Sequence, residues 1–148
     1  MKKIFMSIML LALAAVCLSG CGNGARSVDT LNIADSTFVN QITDIQNNPA
    51  SYIGKTIKLE GIFEADEHEG HAHYYVYRNT AIYDTDHGHE HINKIGLEFE
   101  YNGSLPKDDD FIEVVGVLRN STDHGNTSIV LEATSVIILS ERGPETVK

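Results

Sequence analysis

Apolar positions first recur on one helical face. Phe38, Ile42 and Ile45 stand four and three residues apart, with Ser36 or Thr37 ahead of them as a cap and Asn47-Asn48-Pro49 behind as a stop. That pattern predicts one short α-helix. From Lys55 the period changes to two. Ile57, Leu59 and Phe63 alternate with Thr56, Lys58 and Glu60 in a first strand, and the tyrosine-rich residues 74–83 predict a second. Ile95, Leu97, Phe99 and Tyr101 alternate with Gly96, Glu98 and Glu100 in a third. Asn102-Gly103 and residues 106–110 supply turn chemistry. Residues 111–118 are apolar on both faces apart from Glu113, which predicts a central strand; residues 120–126 turn, and 128–139 form a fifth strand. One helix followed by five strands predicts a mainly β fold, a small five-stranded OB-like barrel preceded by one short α-helix. Closure would remove the edges that such strands expose. A β-sandwich is the alternative. The helix usual between the third and fourth OB strands has no room in residues 102–110.

The N-terminus has a different pattern. Lys2-Lys3 precede an apolar run from Ile4 to Leu18, which leads into Leu18-Ser19-Gly20-Cys21. This resembles the bacterial lipoprotein signal, in which the cysteine becomes the acylated first residue. The run is short for a membrane span, and ordinary secretory sites favour Ala-x-Ala over Cys. The resemblance implies a signal peptide over residues 1–20 and lipidation of Cys21, with the protein anchored extracytoplasmically in the bacterial cell envelope. Each buried acyl CH2 contributes about 0.8 kcal/mol to such an anchor. Residues 21–36 then read as a flexible tether, 37–139 as an OB-like metal-binding domain, and 140–148 as a disordered tail.

Charge and sulfur content narrow the function. The 148 residues carry 11 basic and 21 acidic side chains, a net charge of −10. Loss of Lys2 and Lys3 with the signal deepens that to −12, which argues against nucleic acid as a partner. Removing residues 1–20 leaves 128, enough for one domain and too few for a TIM barrel. Cys17 falls in the signal, Cys21 would bear lipid, and Met1, Met6 and Met9 all lie within the signal. The mature protein is therefore expected to have no free thiol, disulfide or thioether, which disfavours a Cu(I) site.

Histidine carries the candidate chemistry. Six of the seven fall in two acidic blocks, Asp66-Glu67-His68-Glu69-Gly70-His71-Ala72-His73 and Asp84-Thr85-Asp86-His87-Gly88-His89-Glu90-His91. The seventh is in Asp123-His124-Gly125. Neutral imidazole and carboxylate are the ligands that Zn2+ takes when thiolates are absent; Ni2+, Co2+ and Cu2+ also accept them. In an extended H-x-H, as at His71-Ala72-His73, both rings point to one face and can share an ion. The candidate ligands are His68, His71, His73, His87, His89, His91 and His124. Asp66, Glu67, Asp84, Asp86, Glu90 and Asp123 are candidates to ligate or to orient the rings. The blocks flank a strand whose ends stand roughly 30 Å apart at about 3.3 Å per residue, so two sites are expected. His68, His71 and His73 would join His124 at one mouth of the barrel, and His87, His89 and His91 would form a second site. The competing reading is two solvated polar loops.

No H-E-x-x-H helix or nucleophile elbow is present, and three or four histidines leave no open position for a catalytic water. Binding without catalysis is expected. The run from Asn48 to Gly61, with Ile95 to Tyr101, Leu105 to Asp108 and Phe111 to Leu118, resembles the OB-like domain of bacterial envelope proteins of unknown function. Those proteins are encoded beside a permease-like partner and linked to zinc homeostasis. In that family a cysteine-containing segment precedes the third strand; here Asp86-His87-Gly88-His89-Glu90-His91 stands in its place. The leading expectation is a membrane-tethered lipoprotein that binds a divalent metal, zinc first, for capture, buffering or handover to a metal transporter or permease subunit. The alternative is an interaction module binding an envelope protein, a peptide or a glycan.

Overall fold

The computed structural model describes residues 29–68, 70–84, 88–123 and 126–148. The expected signal over residues 1–20, Cys21, Asp86, His87 and His124 lie outside the described residues. In chain order the elements are β1 (Thr30–Asn32), α1 (Phe38–Asn47), β2 (Thr56–His68), β3 (His71–Asp84), β4 (His89–Glu100), β5 (Phe111–Asp123), β6 (Asn126–Ile138) and β7 (Thr146–Val147). Short 3-10 turns at Asp35–Thr37 and Pro49–Ser51 flank the helix.

Helix α1 forms where the spacing predicts. Phe38, Ile42 and Ile45 are all fully buried, and each such side chain contributes about 1.5–3 kcal/mol. Thr37 occupies the cap position, but its hydroxyl donates to Gln41 Oε1 at 3.0 Å and caps no backbone N–H. At the other end the Asp44 carboxylate accepts from the Tyr52 hydroxyl and from Asn48 Nδ2. The Tyr52 bond first, then the Asn48 bond, holds the Asp44 carboxyl below its usual range.

Among the described residues the molecule is mainly β with one short helix, and its five expected strands are the five long ones in a single seven-stranded sheet. Antiparallel pairing links β2 to β5, β5 to β6, β4 to β3 and β3 back to β2. A short parallel contact, Phe99 to Leu131 and Glu100 to Glu132, joins β4 to β6 and completes a ring of pairings. Strand β5 is central, as its apolar faces predict, with Val114 between Leu59 of β2 and Val136 of β6. Packing is tight where β3 runs between its neighbours. A Cβ on Gly96 would lie 2.1 Å from the Val76 carbonyl oxygen, and one on Gly61 would lie 2.6 Å from that of Tyr77. Only glycine lets these backbones approach so closely.

Three expectations are corrected. The tether does not extend to residue 36, because Thr30–Asn32 pair in parallel with Thr56–Lys58. The tail is ordered: Thr146 and Val147 pair with Asn79 and Thr80, and Val147 is buried. Among the described residues the histidine blocks are not loops, because the arms of all three long hairpins run almost to the turn. His68 pairs with His71, Asp84 with His89, and Asp123 with Asn126. Gly70 and Gly88 take positive φ, +81° and +70°, where the first two hairpins reverse. Backbone hydrogen bonds extend the ladder without needing apolar side chains, so hydrophobic alternation underestimates strand length.

Arg78 was not singled out by the sequence, yet it is the largest fully buried side chain. Its Nε donates to the Glu60 carbonyl at 2.8 Å, Nη1 to the Pro144 carbonyl, and Nη2 to Asp35 Oδ1 at 2.9 Å. The guanidinium lies over Phe111 at 4.6 Å and near Phe38 at 5.5 Å. Burial pulls its pKa down, while Asp35 and Glu60 oppose the shift. One cation thus ties both ends of the domain to β2.

Candidate metal centre on the β2–β3 hairpin

Strand alternation determines which candidates share a face. Phe63, Val76 and Phe99 turn into the core, so Asp66, His68, His71, His73 and Glu98 take the opposite, outward face. Register puts Asp66 opposite His73 and His68 opposite His71. Directly opposed residues have Cβ atoms about 4.5–5.5 Å apart. Glu67 is opposite Ala72 on the other face, apart from this group.

Across β3, Glu98 is opposite Tyr75 and reaches diagonally to His73, with Oε1 2.7 Å from Nδ1. The His73 and Glu98 side chains are 21% and 28% exposed, enough burial to restrain them and enough exposure to admit a ligand. Burial first, then the charges of Glu98, Asp66 and Glu64, push the Tyr75 hydroxyl up from its ordinary pKa. Those carboxylates make the face electronegative. Phe63, Tyr74 and Phe99 stack beneath it with centroids 6.0–6.1 Å apart.

An open groove of about 950 Å³ runs beside this face. His68, His71, His73 and Glu98 line it from one hairpin and its neighbour, while Ser121, Thr122 and Ser128 line it from the β5–β6 hairpin. His124 lies outside the described residues. Among the described residues, no three His, Cys, Asp or Glu side chains are already placed to hold an ion together.

The second block is at the opposite end of β3. His89 and His91 share a face, their ring centroids 4.4 Å apart, and Glu90 alternates to the other side. Asp84 is opposite His89 in the backbone register, and Asp123 is opposite Asn126. Exposed Ile82 and Ile92 accompany this hairpin end. Within the described residues the structure therefore puts His68, His71, His73 and Asp66 on one face of the hairpin, and separately brings His89 against His91. Glu98 was expected to be no more than a polar-face residue of the third strand. Its part becomes visible only once the hairpin register is known, because counting back from the residue 84–89 pairing puts residue 75 opposite 98.

No curated protein is similar to the chain at a significant level. Among solved structures it is similar to the small single-stranded DNA-binding protein from Streptomyces coelicolor, with 17% identity and a TM-score of 0.34. That match covers 61% of this chain and 98% of the other. The family model of the DUF1980 C-terminal domain matches residues 21–137, well over half of the sequence, and the chain belongs to that family.

Proposed function

We propose that this chain is an extracytoplasmic lipoprotein, anchored through Cys21, whose ring of strands is an OB-like barrel that binds a divalent metal on the β2–β3 hairpin. Zinc is the first choice, with Ni2+, Co2+ and Cu2+ as related cargoes, and the role is capture, buffering or handover to a transporter or permease subunit. One observation carries the reading: pairing of Asp66 with His73 and of His68 with His71 puts three imidazoles and a carboxylate on one outward face. Nitrogen and oxygen donors in that number match the tetrahedral preference of Zn2+. The backbone beneath them is already paired, so binding needs only side-chain rotation. The groove gives an ion and a fourth or fifth ligand room, and His124 is a further candidate ligand. A net charge of −12 in the processed chain raises the local concentration of cations.

Among the described residues the buried apolar core runs from Ile33 to Val147, and the soluble form used for measurement is the chain without its first 21 residues. Native mass spectrometry after zinc loading should show stoichiometric metal that a chelator removes. Circular dichroism should show the same β-structure with and without it, since apolar packing and backbone pairing, not the metal, hold the strands, and zinc should raise the melting temperature by mass action. No retained metal after loading overturns the reading in favour of an interaction module that uses the groove for a peptide, glycan or envelope protein. In cells, Cys21→Ala should abolish processing and membrane anchoring. A variant still found lipid-anchored would overturn the lipoprotein assignment.

A further inference from the structure

Glu98 has a definable task beside this centre. An ionised carboxylate has no hydrogen to give, so at 2.7 Å the shared hydrogen is on His73 Nδ1 and is donated to Glu98 Oε1. In the neutral ring the lone pair then falls on Nε2. An unconstrained histidine in water favours the other tautomer, with its hydrogen on Nε2. The fold secures the contact, because Glu98 is opposite Tyr75 and one diagonal step from His73 on the same face.

We infer that Glu98 is a positioning residue: it holds His73 in the Nδ1–H tautomer so that Nε2 is the atom offered to a metal in the groove. The metal clause rests on the function proposed above; the tautomer does not. Ligating histidines characteristically donate their other N–H to a carboxylate, which fixes the ring and raises its basicity. Two carboxylates flank His73 here, and the geometry divides their work. Glu98 orients the ring from β4, while Asp66, opposite His73 on β2, is placed to ligate.

Long-range nitrogen-15 NMR of the metal-free chain lacking residues 1–21, recorded at pH 8, reads the tautomer directly. His73 should carry its hydrogen on Nδ1. Glu98→Ala should shift it toward Nε2 and weaken zinc binding by about 10–100-fold. Glu98→Gln, whose amide oxygen still accepts from Nδ1, should retain the tautomer and most of the affinity, a rescue that generic loss of packing would not give. A wild-type His73 with its hydrogen on Nε2, or a tautomer unmoved by Glu98→Ala, overturns the inference. Wild-type protein with the Nδ1–H tautomer that takes up no zinc supports the role of Glu98 in holding the ring and overturns the metal reading alone. The wild-type spectrum needs no variant to fold.

Discussion

Replacing Arg78 by Leu is expected to cost about 3–5 kcal/mol of stability, a large part of the 5–15 kcal/mol typical of a domain. The guanidinium is fully buried and spends its donors on three separate segments: the Glu60 carbonyl, the Pro144 carbonyl and Asp35. Leucine fills part of the volume but leaves two backbone carbonyls without their donor, at roughly 1–3 kcal/mol each. It also forfeits the cation–π contact with Phe111. Lysine should fare little better, because one ammonium cannot reproduce the planar fork. The Asp35 side chain is 52% exposed, so Asp35→Asn should cost about 1 kcal/mol or less. Urea unfolding of the three variants provides the comparison. Arg78→Leu within about 1 kcal/mol of wild type, or Asp35→Asn as damaging as Arg78→Leu, would refute this account of the clamp.

Joint replacement of His68, His71 and His73 by Ala should remove zinc binding on the β2–β3 hairpin while leaving the fold intact, since His68 and His71 are exposed and His73 is half-buried on the outward face. Acid should achieve the same loss reversibly. Only a neutral imidazole ligates, and ordinary imidazoles take up protons around pH 6.5. Protons compete with the metal for each imidazole, so affinity should fall between pH 7.5 and 5.5. The direction is fixed: affinity is present at the higher pH and lost as pH falls. Zinc titrations across that range test it, and a flat profile, or unaltered affinity in the triple variant, would show that these imidazoles are not the ligands.

Much of this architecture could be read from the chain because burial dictated the pattern. Phe38, Ile42 and Ile45 marked the helix, and Ile57 with Leu59 and Leu97 with Phe99 marked strands, since each needed an apolar neighbour. Where strands leave the core that signal stops, so residues 66–73 and 120–126 did not read as strand, although Asp66 to His68 pair with His71 to His73 and Asn120 to Asp123 with Asn126 to Ile129. Arg78 eluded the same logic. A charged residue in an alternating strand looks solvent-facing until the segments around Asp35 and Pro144 close over it. For the site, the sequence showed which side chains could bind metal but not which share a face. Separating Glu67 from His68 and adding Glu98 required the hairpin register.

The manner in which the sheet ends matters for behaviour at high protein concentration. Its two extremities in strand order are β1 and β7, only three and two residues long. Beyond Ile62, where β2 leaves β5, the turn ahead of β5 covers the vacated side. Asp110 accepts from Phe63 N, Asp109 N donates to the Phe63 carbonyl, and Asp108 Oδ1 accepts from Ala65 N. A neighbouring molecule therefore finds little unpaired backbone there on which to extend the sheet, and acidic side chains guard part of what remains. Short, charged and covered edges are how β proteins resist edge-to-edge aggregation. In this chain those features protect the sheet at β1, at β7 and along Phe63–Ala65 of β2.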